Sequence, residues 1–218
     1  MNKPRRPRAT ASMRKPKDPA HSRADILDAA ATEFAAHGFA GARVDAIAAR
    51  TKSTRAMIYY YFGNKEALYV AVLENAYRGI REAEKRLELD HLQPTEAIRR
   101  LVAFTFDYYQ KNPRFIALVN AENQAGGRHI RKAHQMHGLN VSIIDTIRDV
   151  LERGVRDGVF RSGIDPTELH MAIASLGWFQ ISNRHTFGYL FKRDLASRAQ
   201  VERHRSLITD IIVRFVSS

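Results

Sequence analysis

The stretch "SRADILDAAATEFAAHGFAGARVDAIAARTKSTRAMIYYYFGNKEAL", residues 22–68, decides the fold. Ile26, Leu27, Ala30 and Phe34 recur at three- and four-residue steps, which predicts a first helix with one apolar stripe. Ser22 followed by Asp25 reads as a capping box opening that helix, and Gly38 as its close. Val44, Ile47 and Ala48 predict a second helix ending near Thr51, and Thr54 is the expected N-cap of a third. Two short helices joined that tightly form a helix-turn-helix, whose second member is built to lie in a DNA major groove.

The third helix carries three consecutive tyrosines. At 100° per residue, Ile58 and Phe62 share the core side with Tyr61 partly beside them, while Arg55, Ala56, Tyr59 and Tyr60 share the open side and Met57 sits on the border. A phenol reaches a phosphate oxygen while its ring covers sugar, and a small residue such as Ala56 lets the backbone approach base edges. Arg43, Arg55 and Lys65 stand at the starts of the second, third and fourth helices. Cations there oppose the helix dipole, so a bound anion explains them better than helix stability does.

"VDAIAARTKSTRAMIYYYFGNKEAL", with the preceding "ILDAAATEFAAHGF", resembles the DNA-binding signature of the tetracycline-repressor (TetR) family over residues 23–70. The resemblance implies an all-helical transcription regulator that binds palindromic double-stranded operator DNA as a homodimer and is released by a small-molecule effector. It implies that Arg55, Ala56 and Met57 face bases, and that Arg43, Tyr59, Tyr60 and Lys65 hold phosphates; Thr54 completes the expected DNA-binding set. Three positions depart from the family pattern. Lys52-Ser53 replaces the usual Gly-Val of the turn, Arg43 replaces a Thr or Ser cap, and Gly63 stands where proline is common.

The net charge of +12 is unevenly placed: residues 1–23 hold eight basic residues against one acid, with four prolines and almost nothing apolar. Such a tail cannot bury enough surface to offset its ordering entropy, and its natural partners are polyanions, nucleic acid before anionic membrane. A solubilising tail is the open alternative. The expected organisation is a basic arm at 1–22, a helix-turn-helix domain at 23–68, and a helical ligand-binding and dimerisation domain at 69–218. The absence of cysteine excludes disulfides and thiolate metal sites and suits a cytoplasmic protein. No apolar run approaches the roughly 20 residues of a spanning helix, so no membrane anchor is expected.

Beyond residue 70, helices are expected from Asn64 to about Leu89, from Pro94, from Pro113 to Gly126-Gly127, from about Ile130 to Gly154, from Asp165-Pro166, and from about Leu195 to the end. Glu122 projects onto the apolar face of Phe115, Leu118 and Val119, with Asn123 at its edge. An acid there needs a partner or a neutral form, and both an internal pair with an arginine and ligand recognition stay open. Thr105 and Tyr108 sit on the stripe of Ile98, Leu101 and Val102, and Trp178, Phe179 and Asn183 offer aromatic walls and an amide. These seven residues are the candidate effector set. His134 and His137 share a helix face but lack a third metal ligand in register. The last helix (Ile208, Ile211, Ile212, Phe215) and the small residues Ala172, Ala174, Ser175 and Gly177 are expected to form a dimeric four-helix bundle, with intramolecular packing as the alternative.

No catalytic carboxylate pair, nucleophile with a base, or phosphate-cradling glycine loop is legible, so neither an enzyme nor a cofactor is expected. Two competing readings stand beside the ligand-responsive repressor: a non-specific DNA-coating protein that uses the basic arm, and a helical enzyme or metal-binding protein built on residues 70–218.

Overall fold

A computed structural model of the chain describes residues 19–133 and 136–218, and all regular structure among them is helical. The basic arm falls almost wholly outside the described residues, as does His134. Four helices enter the first core: α1 (Pro19–Gly41), α2 (Val44–Thr51), α3 (Arg55–Phe62) and α4 (Lys65–Lys85). Ile26, Phe34, Ile47, Ile58 and Leu68 are each fully enclosed there. Burying side chains of that size stabilises by about 1.5–3 kcal/mol each before entropy is counted. α1 begins at Pro19, so Ser22 already lies inside it and does not cap it; Gly38 does break it, with φ 63° and ψ −179°.

The second core is built from α5 (Pro94–Lys111), α7 (Met136–Arg156), α8 (Pro166–Ser182) and α10 (Arg198–Val216), with α6 (Pro113–Gln124) and the short α9 (Arg184–Leu190) at its margin. Asp165 caps α8 as its sequence predicts, accepting from the amides of Thr167 and Glu168 at 2.8 and 2.9 Å. The chain after Gly126-Gly127 makes a separate 3₁₀ turn at Ile130–Lys132, so α7 starts later than expected; α9 was not foreseen. Gly154 lies inside α7 because the Phe160 ring packs on the helix backbone there, and a Cβ would collide with it.

The two cores are not cleanly divided at residue 68. α4 gives Leu68, Tyr69, Val72 and Leu73 to the first core, packs against α7, and places Ile80 in a smaller cluster with Tyr109, Phe115, Ile116 and Ile181; α6 packs along α1, contributing Leu118 to the first core. The expected bundle stripe also splits. Ile208 and Ile212 are buried within the chain's own core, whereas Leu207, Ile211 and Phe215 remain exposed on α10, as do Met171 and Phe179 on α8. Gly177 faces inward, where a Cβ would lie 3.4 Å from Tyr109, so its smallness serves the contact with α5.

Candidate nucleic-acid interface and effector site

α3 is held from behind and offered from the front. Thr54 accepts the Met57 amide at 3.1 Å, Ile58 and Phe62 are buried, and Tyr59 and Tyr61 are half-buried against the same core. Arg55, Ala56, Met57 and Tyr60 face outward, Tyr60 with 81% of its surface exposed. The sequence wheel is therefore correct except that Tyr59 divides its ring between core and surface. Its hydroxyl accepts from Arg55 Nε and Nη2, both at 3.3 Å, and Asp45 lies 3.6 Å from the same guanidinium. Arg55 is thus pre-aimed by the hydroxyl of half-buried Tyr59 and by exposed Asp45, which a phosphate or base edge can replace.

The departures of the turn have structural consequences. Lys52 takes the left-handed conformation (φ 53°, ψ 32°) normally given to glycine. Gly63 adopts φ 81°, which proline cannot reach, and its amide donates to Tyr59 O at 2.7 Å, a bond proline would remove. Arg43 is exposed and provides no side-chain cap to α2; its amide instead donates to the buried carboxylate of Glu33 at 3.1 Å, a contact not anticipated from sequence. Lys65 lies over the Phe39 ring, 4.9 Å from its centroid, with Nζ 3.4 Å from Ala40 O. A lysine has three donors, so this stacking leaves capacity for an anion.

The candidate effector residues do not converge on one site, although Tyr108 and Trp178 both pack on Phe115. Thr105 is buried and donates to Leu101 O within its own helix at 2.9 Å. Asn123 is exposed and bonds back to Val119 O, and Asn183 bonds back to Phe179 O at the end of α8. Trp178 Nε1 donates to Asn120 Oδ1 at 3.1 Å, and its ring meets Tyr109 and Phe115 edge-on, closing an aromatic cluster. Phe179 is outside, against Phe187. Tyr108 lines two clefts, one of about 750 Å³ among α1, α4, α5 and α6 and one of about 520 Å³ along α5 and α10.

Glu122 has a partner, a histidine rather than an arginine. One oxygen accepts the amides of His129 and Ile130 at 2.7 and 2.9 Å, and the other meets His129 Nδ1 at 2.8 Å. Burial opposes its ionisation, but these bonds outweigh burial and hold the carboxyl below its usual range. An ionised carboxylate only accepts, so Nδ1 carries the proton. The His129 ring packs on Phe39 and Tyr69 at 4.4 and 4.9 Å, and the Tyr69 phenol is pushed up to about 12 by burial, with Glu122 adding to the shift. Glu122 therefore ties α6 and the following turn to the DNA-binding core.

A second buried pair behaves differently. Arg81 Nη1 lies 2.7 Å from Glu84 Oε2 on α4, with the two side chains only 5% and 4% exposed. The contact is close but misaligned: Arg81 Nε and Nη1, both Glu84 oxygens and His170 Nδ1 lack a hydrogen-bond partner. Burial pushes the Glu84 carboxyl up to about 7 against the pull of Arg81, and burial together with Arg81 pushes His170 down to about 4. Tyr108 and Tyr109 feel the same pair and Tyr77 feels Arg81, and burial raises each of the three phenols. Arg81 and Glu84 line a cleft of about 510 Å³ between α4 and α7. Sequence reasoning passed over both, although they continue the spacing of Tyr69, Leu73 and Tyr77 along the buried side of α4.

Comparison with known proteins agrees with this geometry. Residues 26–72 match the model for bacterial regulatory proteins of the tetR family, and residues 94–212 match the tetracyclin repressor-like C-terminal domain. The HTH-type transcriptional repressor NicS of Pseudomonas putida is 39% identical over 193 residues, 88% of this chain and 91% of that protein. The HTH-type transcriptional repressor SCO4008 of Streptomyces coelicolor is 31% identical, over 74% of this chain and 80% of its own length. A crystal structure of the transcriptional regulator FadR from Bacillus subtilis, in complex with stearoyl-CoA, shares the fold with a TM-score of 0.69. That likeness spans 88% of this chain and 98% of the FadR chain at 16% identity. With both of its parts matched and its recognition helix exposed on one face, the chain belongs to the tetR family and is a helix-turn-helix DNA-binding transcription regulator.

Proposed function

We propose that the protein is a repressor that binds a two-fold symmetric operator as a homodimer and leaves it when a small-molecule effector enters the second core. The observation that carries the reading is α3, with Ile58 and Phe62 anchored and Arg55, Ala56, Met57 and Tyr60 presented together. Two features support the rest. Leu207, Ile211 and Phe215 repeat every four residues on α10, Met171 and Phe179 stand eight apart on α8, and these neighbouring helices leave all five side chains exposed; a symmetry mate covers them in a four-helix bundle. α4 begins at Lys65 beside the DNA face and carries Arg81 and Glu84 into the second core, so a change of packing around its far end alters the separation of the recognition helices.

Selection of bound sequences from a random DNA pool tests the reading. The expected product is one two-fold motif whose half-sites are roughly 34–36 Å apart. Equal retention of random DNA favours the coating-protein alternative. On the selected operator, Lys65→Ala is expected to weaken binding to all sequences and reduce the salt slope by about 0.9, whereas Arg55→Ala relaxes base preference at one position per half-site. Identical effects of the two changes on every sequence contradict the assignment of contacts.

A further inference from the structure

We propose that the cleft between α4 and α7, with Arg81 and Glu84 at its floor, is the effector site, and that it takes a small monocarboxylic acid. The inference rests on the effector-released reading above and names where and what the effector is. Its volume of about 510 Å³ falls inside the roughly 300–1,000 Å³ range of small-molecule sites.

The unmet hydrogen bonds define the chemistry. Arg81 Nε and Glu84 Oε1 are buried with no hydrogen-bond partner, and Nη1 and Oε2 meet each other at 2.7 Å without an aligned hydrogen bond. A buried polar group left unpaired costs on the order of 1–3 kcal/mol, so the pair is held ready for a group that brings an acceptor and a donor side by side. An apolar ligand leaves Arg81 Nε and Glu84 Oε1 without a partner. A cation meets Arg81 with like charge. A carboxylate satisfies Arg81 but places a second anion beside Glu84, and two carboxylates that close cannot both stay ionised. The acid therefore enters with a proton, shared between ligand and Glu84, and the buried charge of the site is unchanged.

The surroundings of Glu84 agree with that balance. On its own helix it has Arg81, Lys85 and Glu88; Asp90 follows at the cleft rim, and Asp149 and Arg153 face it from α7. Arg153 is already committed, donating to the carbonyls of Leu89, Asp90 and Leu92 at 2.8 Å each. From α5 the phenols of Tyr108 and Tyr109 feel the pair, and from α8 His170 feels Arg81. Of the lining cations Arg153 is committed and Lys85 is exposed to solvent, so the buried charge beside Glu84 is Arg81 alone.

The test is calorimetry on the full-length protein with benzoate, phenylacetate and hexanoate as probes and benzamide as the uncharged counterpart, at pH 8 in buffers of different ionisation enthalpy. At least one acid is expected to bind with uptake of about one proton per site, Glu84 being mostly ionised at that pH. Glu84→Gln keeps the shape and is expected to bind the same acid without proton uptake. Arg81→Met with Glu84→Leu is expected to weaken it by at least about 100-fold, two charge-assisted hydrogen bonds being lost. Binding without proton uptake in the unaltered protein, binding of benzamide in preference to every acid, unchanged affinity in the double variant, or no binding of any acid overturns the proposal. Operator affinity is measured on the same samples. Acid binding that leaves it unchanged sinks the effector-release reading while the acid site stands, and an intact operator complex with no acid bound leaves the regulator and removes the site.

Discussion

Glu122 and Glu84 are both buried acids on helices of the same chain, within a percentage point or so of each other in exposure, yet the fold treats them oppositely. Glu122 is saturated: two amides and an imidazole surround it and keep it ionised. Glu84 has a guanidinium 2.7 Å away but no aligned hydrogen bond, and is pushed toward its neutral form. Burial of an acid is therefore not the mark of a ligand site. What separates a structural tie from a recognition group is whether the chain itself supplies the partners.

The largest effect that sharpens the contrast is expected from Glu122→Gln. An amide nitrogen then faces N–H donors, so stability should fall by about 3–5 kcal/mol, as when a buried pair loses one member. Because Glu122 holds the turn that packs His129 on Phe39 and Tyr69, effector-free operator binding should fall with it. Urea denaturation and operator titration check both, and a loss below about 1 kcal/mol would place Glu122 with the dispensable surface pairs.

A smaller and opposite change is expected at the other pair. Replacing Arg81 by Met and Glu84 by Leu removes two desolvated charges and their orphaned atoms together. Stability should be unchanged or rise by about 1–4 kcal/mol, with operator binding kept. A destabilisation like that of Glu122→Gln breaks the comparison, since it makes both pairs structural.

The subtlest difference lies in pH. The folded Glu84 carboxyl sits above its ordinary 4.5, so its stabilising contribution is full below 4.5 and is lost as pH rises through about 7. Glu122 is held below 4.5, so its contribution is present above that value and lost as pH falls. The stability gap between the unaltered protein and Glu84→Gln should thus move against Glu84 between pH 4.5 and 7, while the gap for Glu122→Gln closes only in acid. His170, held down at about 4, loses its own contribution as pH falls from 6.5, but it is common to both proteins and cancels in each difference. Parallel pH profiles for the two variants contradict the opposite states assigned here.

The DNA-binding unit was legible because its signals are local: Thr54 and Asn64 cap within three residues of themselves, and the burial of Ile58 and Phe62 follows from helical period alone. The candidate effector residues were not, because their deciding contacts are distant in sequence or hidden by ambiguity. Nothing near Glu122 announces that His129 returns to it after the Gly126-Gly127 turn, and nothing near Arg43 announces Glu33 from α1. Arg81 and Glu84 occupy apolar register positions, but near a helix end the same pattern describes a solvated edge. Only packing against α5 and α7 encloses them. The bundle stripe was legible only in part for the same reason, since Ile208 and Ile211 look alike in a periodic pattern and diverge only when α10 meets its neighbours.

The most direct test of the contrast is a carbon-13 NMR titration of the side-chain carboxyls in the effector-free protein, assigned with Glu84→Gln and Glu122→Gln. The account predicts a Glu84 midpoint near 7 and a Glu122 midpoint below 4.5. A Glu84 carboxyl that titrates at or below 4.5, alongside Glu122, would mean that Arg81 satisfies it fully and that the floor of the cleft is not waiting for a ligand.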